Sequence, residues 1–355
     1  MTLERIGGYE VVRPLGSGGM GTVYFAVSPT ADRVALKVIK KELLTDPTIR
    51  ERFAGEVSSL KLVFGSRVAR LEDADPTGDP AWLAVEYVPG ATLRQHVDAK
   101  GPLSLPMAAM VGAMLADGLT KVHQAGLLHR DLKPQNIILS PDGPKLIDFG
   151  LAVLMDREHY VTDAGVLVGT PAYMSPEQVR GERDLTAAVD IYGLAATLVF
   201  ALTGHGLYPP TNSWNLLLRI TEPTDLPDLS RVPDELVQLL GTMLAHDPTA
   251  RPGLDDVRAR LLAVATESGG KTALDLRRDV AALTYDAGTE LLVPPDLVDP
   301  QQDPEGLPVV DEASTVQAPE TAQTKADPER PAPPPTDVSW LVDKLRRQYA
   351  RRSTL

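Results

Sequence analysis

The stretch His129-Arg-Asp-Leu-Lys-Pro-Gln-Asn136, followed shortly by Asp148-Phe-Gly150, sets two carboxylates, an amide and a lysine on loops that flank a short hairpin. Phosphoryl transfer from a nucleotide needs this set. The nucleotide brings Mg²⁺ (or Mn²⁺), a hard cation that takes oxygen ligands, so Asp148 and the side-chain oxygen of Asn136 are the expected metal ligands. Asp131 is then free for an acceptor hydroxyl, which it can orient and deprotonate as transfer proceeds, while Lys133 offsets charge on the migrating group. Polar residues that merely cap turns would not need all of these positions filled at this spacing.

Upstream, Gly16-Ser-Gly-Gly-Met-Gly21 lies between two strand patterns. A dinucleotide-binding glycine motif leads straight into a helix, but here the strand Thr22 to Ala26 follows. Such a hairpin can fold its backbone amides over ATP phosphates, and side chains at Gly16, Gly18 or Gly21 would obstruct that approach. Alone the motif is weak, and a plain flexible hairpin accounts for it more readily. Lys37 ends the alternating strand Val34-Ala-Leu-Lys37, where its amine would approach the α- and β-phosphates; an exposed strand charge is the bland alternative. Glu56 favours the first reading, because it sits on or beside the apolar stripe Phe53, Val57, Leu60 and Phe64, and an inward carboxylate needs a cation. Lys37 is its expected partner.

Composition narrows the remaining classes. Hydrophobic residues make up 43% of the 355 and charged residues 23%, ordinary for a globular chain. A net charge of −13 repels phosphate backbones, which argues against nucleic acid and for protein partners. The absence of cysteine excludes disulfides, thiolate zinc sites and a cysteine nucleophile, and fits a reducing compartment. The opening Met1-Thr-Leu-Glu-Arg5 has no apolar stretch of the signal-peptide kind. The longest apolar run, Ile191 to Leu202, falls short of the ~20 apolar residues a membrane span needs. The expectation is a soluble, cytoplasmic protein with no membrane span.

Tyr9 to Val12, Thr22 to Val27 and Arg33 to Ile39 read as an antiparallel meander, Pro47 to Phe64 as a helix, and Val68 to Leu71 and Trp82 to Val88 as further strands. After Gly90 the pattern turns helical. Ser104 can cap a helix whose stripe runs Met107, Met110, Val111, Met114, Leu115, Leu119 and Val122 before Gly126 stops it. Further helical segments lie around Ile191 to Leu202, Asn215 to Ile220, Asp234 to Ala245 and Asp255 to Ala263. The fold class is α+β in two lobes, a small antiparallel-sheet lobe with one main helix and a larger, mainly helical lobe. Residues 264–335 read as a disordered linker, since Val293 to Pro335 cannot bury enough apolar surface to offset its ordering entropy. Residues 336–352 read as a short basic helix, capped by Thr336 or Asp337, with Val338, Leu341, Leu345 and Tyr349 on one face.

These landmarks, in this order, resemble the eukaryotic-like (Hanks-type) serine/threonine protein kinases of bacteria over about Tyr9 to Ala263. The resemblance implies the bilobal protein-kinase fold in a domain spanning 1–263, with residues 9–88 as the first lobe, 86–90 as the hinge and 91–263 as the second lobe. It implies transfer of the γ-phosphoryl of ATP to serine or threonine hydroxyls of protein substrates. By the same resemblance the backbone at Glu86 and Val88 bonds adenine, Val85 guards the pocket, and Val23, Ala35 and Ile138 sandwich the base. Gly169-Thr-Pro-Ala-Tyr-Met-Ser-Pro-Glu177 would cradle a substrate peptide, with Thr170 bonding Asp131 and Lys133, a pairing typical of serine/threonine specificity. Glu177 would pair with Arg251, and Asp190 would brace the catalytic loop.

The sequence departs from the family pattern at Ser175, where alanine is usual, at Gly193-Leu-Ala, where Ser-Leu-Gly is commoner, and at Gly55 in the helix carrying Glu56. A glycine inside a helix costs about 1 kcal/mol relative to alanine, so the Lys37–Glu56 pair is expected to be conditional. Arg130 offers a guanidinium to a phosphate on the loop between Gly150 and Ser175, where Thr162 is the best acceptor and a solvated threonine the bland alternative. Phosphorylated Thr315, Thr321 or Thr324 would suit forkhead-associated domain proteins. Signal input is expected from a cytoplasmic partner, a homodimer through the first lobe, or the tail. Two rival readings stand beside this one. A pseudokinase scaffold is disfavoured by intact Lys37, Asp131, Asn136 and Asp148, and a small-molecule kinase would have no use for the 169–177 segment or Lys133.

Overall fold

A computed structural model describes residues 5–148 and 171–283. The chain divides into two units, residues 1–292 and 293–355, and every described residue lies in the first. Strands β1 (Arg5–Ile6), β2 (Tyr9–Ser17), β3 (Gly21–Val27), β4 (Arg33–Ile39), β5 (Leu71–Asp75) and β6 (Trp82–Glu86) form one antiparallel sheet in the order β1-β2-β3-β4-β6-β5. Register pairs Val23 with Lys37 and Lys37 with Leu83, and Phe25 with Ala35 and Ala35 with Val85. Since side chains alternate along a strand, Val23, Ala35, Lys37 and Val85 share one face. The other face buries Tyr9, Leu36, Trp82 and Ala84 together.

Helix α1 (Pro47–Leu60) starts where Asp46 accepts the Thr48 amide at 2.7 Å, with proline in the first turn, and buries Ile49, Phe53, Val57 and Leu60. It ends before the expected Phe64, which is 67% exposed. The strand expected at Val68 to Leu71 lies instead at β5, and Val68 makes a lone parallel bridge to Leu146.

The second lobe holds α2 (Leu93–Lys100), α3 (Leu105–Gln124), α4 (Pro176–Val179), α5 (Ala188–Thr203), α6 (Ser213–Thr221), α7 (Asp234–Met243), α8 (Leu254–Gly269) and α9 (Ala273–Ala282). A small sheet, β7 (Ala91–Thr92), β8 (Ile137–Ser140) and β9 (Gly143–Leu146), lies at the cleft edge of this lobe. Helix α3 is the centre: Val111, Leu115, Leu119 and Val122 are fully buried, and it packs on α5, α8 and α9. Each such side chain contributes about 1.5–3 kcal/mol by leaving water. Among the described residues α3 is long and apolar enough to cross a membrane, yet 67% of its apolar window is buried inside this core. Gly90, at φ +140°, lets the chain lie against β8, because any Cβ there would overlap the Leu139 carbonyl.

One boundary needs correction. Residues 264–282, expected within the linker, are largely helical: α8 runs to Gly269 and α9 follows. Thr272 caps α9 by accepting the Asp275 amide at 3.2 Å. Leu276 and Val280, one helical turn apart and each 1% exposed, are buried as α9 packs on α3 and β9. This stripe is what keeps residues 273–282 folded.

Candidate active site

Between the two sheets opens a cleft of about 610 Å³. The β2–β3 hairpin contributes Gly16, Gly18, Gly21 and Val23 to its wall, and the Gly18 amide closes the turn on the Gly21 carbonyl at 2.9 Å. Gly21 is demanded by packing, since a Cβ there would overlap the Val38 carbonyl. A Cβ at Gly16 or Gly18 would meet no protein atom within 4 Å, so the fold itself makes no steric demand at those two positions. Ala35, Lys37 and Val85 line the cleft from the large sheet, Glu86 and Val88 from the connection between lobes, and Ile138 from β8. The Glu86 side chain is held in an ion pair with Lys145, a bridge between β6 and β9 that no sequence pattern announced.

The catalytic-loop residues meet at the other end. Lys133 Nζ donates to both Asp131 carboxylate oxygens, at 2.9 and 2.7 Å. Asn136 Nδ2 donates to the Asp131 carbonyl at 2.8 Å and to its Oδ2 at 3.0 Å, which leaves the Asn136 oxygen for the cleft. The β8–β9 hairpin begins just after Asn136 and ends just before Asp148, and the Ile147 amide bonds the Asn136 carbonyl at 3.0 Å. That zip brings the two expected metal ligands together. Asp148 has φ +59°, a conformation that costs a non-glycine residue ~1–3 kcal/mol and tends to persist where function needs it.

The expected Lys37–Glu56 pair is not formed. Lys37, buried to 6% exposure, takes Asp148 at 3.0 Å, while Glu56 accepts from Arg130 at 3.4 Å. A buried ammonium needs a carboxylate, and Asp148, turned by its left-handed backbone, supplies it. Gly55 is not the reason, since α1 is continuous through it. Arg130, Asp131, Lys133, Asn136, Asp148 and Lys37 all line the cleft, whereas Glu56 does not. Thr162, Thr170, Phe149 and Gly150 lie outside the described residues, as does the 336–352 segment.

The loop is braced from α5. Asp190, 1% exposed, accepts the His129 amide at 2.8 Å and the Arg130 amide at 2.7 Å, and lies 2.7 Å from His123 Nε2. Burial pushes its carboxyl up, but the hydrogen bond from His123 and the neighbouring imidazoles outweigh it and hold the group below the usual carboxylate range. The His129 side chain is wholly buried, and desolvation pushes its imidazole down. Glu177 and Arg251 form a buried two-pronged pair at 2.6 and 2.9 Å. Burial there raises the carboxyl and the guanidinium more than reverses it. The sequence reading missed Gln178, whose amide donates to the Arg130 carbonyl at 2.7 Å. The S-x-x-Q spacing of Ser175 and Gln178 was the available signal.

With this geometry in hand, comparison with known proteins gives a consistent answer. The protein kinase domain family model matches residues 9–261. The serine/threonine-protein kinase AfsK of Streptomyces coelicolor is 42% identical over 264 residues, covering 73% of this chain and 32% of AfsK. The probable serine/threonine-protein kinase PkwA of Thermomonospora curvata is 41% identical over 257 residues, covering 72% of this chain and 34% of PkwA. The chain thus spans about a third of the length of these curated relatives. The crystal structure of the Mycobacterium tuberculosis PknI kinase domain matches with a TM-score of 0.59 at 27% identity, covering 74% of this chain and 99% of that one. The chain belongs to the protein kinase domain family, with serine/threonine kinases of bacteria as its relatives.

Proposed function

We propose that this chain moves the γ-phosphoryl group of ATP onto serine or threonine hydroxyls of proteins. The observation that carries the reading is the meeting of Lys37, Asp131, Lys133, Asn136 and Asp148 in one cleft. Its donor set suits Mg²⁺ (or Mn²⁺) carried in on the nucleotide. Among the described residues no group of three or more His, Cys, Asp or Glu could cage a metal alone. Asn136 and Asp148 would hold the ion through one oxygen each, with phosphates and water completing the shell that Mg²⁺ prefers. When bound, the ion neutralises charge on the phosphate oxygens.

The chain's own groups do the rest. The backbone at Glu86 and Val88 bonds adenine, with Val23, Ala35 and Ile138 on its faces. Lys37 exchanges Asp148 for phosphate oxygens. Asp131 receives the acceptor hydroxyl and its proton, held steady by Lys133 and Asn136. Lys133 then offsets charge on the group in flight. The test is incubation of purified protein with labelled ATP, Mg²⁺ and a generic protein acceptor, followed by phosphoamino-acid analysis. No label on any polypeptide ends the proposal, and label on tyrosine alone overturns the specificity.

Regulation belongs to the same proposal. Phosphorylated Thr162 engages Arg130 and competes with Glu56 for it; mass analysis after MgATP treatment that leaves Thr162 unmodified in fully active protein refutes this. Thr170 bonds Asp131 and Lys133, and a Thr170→Val protein of unchanged rate would refute that. Phosphothreonine at 315, 321 or 324 recruits forkhead-associated domains, which a pull-down before and after phosphorylation reads. Leu62 and Phe64, both 67% exposed, give the first lobe an apolar pair for a homodimer, measurable by sedimentation. Use of ATP puts the domain in the cytoplasm, which cell fractionation checks.

A further inference from the structure

We infer that Gln178 is a positioning residue for phosphoryl transfer: it fixes the peptide plane that aims Asp131, in an amide orientation that Ser175 enforces. The inference rests on the kinase reading. Arg130 has φ +60°, a region that side-chain-bearing residues avoid unless their surroundings compel it. Two side chains supply the compulsion. Asp190 Oδ1 accepts the Arg130 amide at 2.7 Å, and Gln178 Nε2 donates to the Arg130 carbonyl at 2.7 Å. That carbonyl belongs to the same peptide plane as the Asp131 amide, which itself bonds the His129 carbonyl at 2.8 Å. With both edges of the plane held, the Cα of Asp131 has little freedom to swing.

Ser175 decides which way the Gln178 amide faces. Its backbone N–H and its hydroxyl both donate to Gln178 Oε1, each at 3.1 Å. The Ser175 N–H can only donate and the Arg130 carbonyl can only accept. A flipped amide would set donor against donor at one end and acceptor against acceptor at the other. Ser175 is fully buried, so water cannot substitute. The platform is firm as well, because the neighbouring Glu177 is fastened to Arg251.

The test is steady-state phosphorylation of a generic protein acceptor by the full chain. Gln178→Met, similar in shape but without a donor, is expected to lower kcat roughly tenfold with KM for MgATP unchanged. Gln178→Glu is expected to be as slow near pH ~7.5 and to recover relative to wild type as pH falls toward ~5.5, because only the protonated carboxyl can donate to the Arg130 carbonyl. Wild-type kcat in Gln178→Met, or a flat pH ratio in Gln178→Glu, overturns the inference. If Gln178→Met does not fold, the Gln178→Glu pH ratio decides it. A wild-type chain that labels no acceptor overturns the kinase reading instead, before any variant is compared.

Discussion

Arg130 holds Glu56: its guanidinium lies 3.4 Å from the Glu56 carboxylate, and Lys37 is left to Asp148 at 3.0 Å. If turnover keeps this arrangement, charge at residue 56 matters less than the amine at residue 37. Glu56→Gln is expected to lower kcat/KM by about tenfold or less, and Lys37→Met by about a hundredfold or more. Initial rates with MgATP measure both. Equal losses would mean that the working enzyme forms the Lys37–Glu56 pair.

Asp131→Asn removes the proton acceptor while keeping the side chain's size. Phosphoryl transfer is expected to fall by ~10²–10⁴-fold with nucleotide affinity retained. Single-turnover labelling beside a nucleotide-binding titration separates the two. A near-normal rate would take the role of base away from Asp131.

The Glu177–Arg251 pair is structural. Its side chains are 4% and 0% exposed, so Arg251→Met strands a buried carboxylate and is expected to cost about 3–5 kcal/mol. Urea denaturation reads this directly. The double variant Arg251→Met with Glu177→Leu should recover part of the loss, and an equally unstable double variant would contradict the argument.

Acid sensitivity follows from His129. Burial holds its folded-state imidazole below the ordinary 6.5, although Asp190, Asp131 and Asp148 pull the other way. The unfolded chain therefore takes up a proton first. This contribution to stability is complete above pH 6.5 and is lost as pH falls below it toward the folded value. Denaturation midpoints at pH ~7.5 and ~5.5 are expected to differ, and less so in His129→Gln. An unchanged slope in the variant would assign the sensitivity elsewhere.

Helix α9 makes the last prediction. Leu276→Ala, at a side chain 1% exposed, is expected to cost about 2–5 kcal/mol. A chain ending at residue 270, just past α8, should melt lower than one ending at 283. Matching melting temperatures would mean that α9 adds nothing to the core.

These cases show how far sequence reading reaches. The two-lobed fold and the cleft face of β4 are legible because alternation and helical periodicity are local properties, and Val34 to Lys37 carries its own orientation. The stripe through Phe64 misleads because periodicity does not mark where α1 stops, at Leu60. Thr272, Leu276 and Val280 carry a cap and a turn spacing, but so short a pattern beside a Pro-rich stretch reads as tail. The partners of Glu56 and Gln178 are invisible for a different reason. Arg130 lies 74 positions from Glu56 and 48 from Gln178, and no local pattern encodes contacts across such spans.

Lys133, Asn136, Gln178 and Asp190, the side chains that steady Asp131 and the loop bearing it, all ride on the helical lobe, whereas the sheet lobe supplies Lys37 and the glycine hairpin. Tilting one half against the other would therefore loosen the grip on the triphosphate without spoiling the aim of the base. Affinity for the donor and reactivity toward the acceptor become separately tunable, and substitutions that alter one need not burden the other.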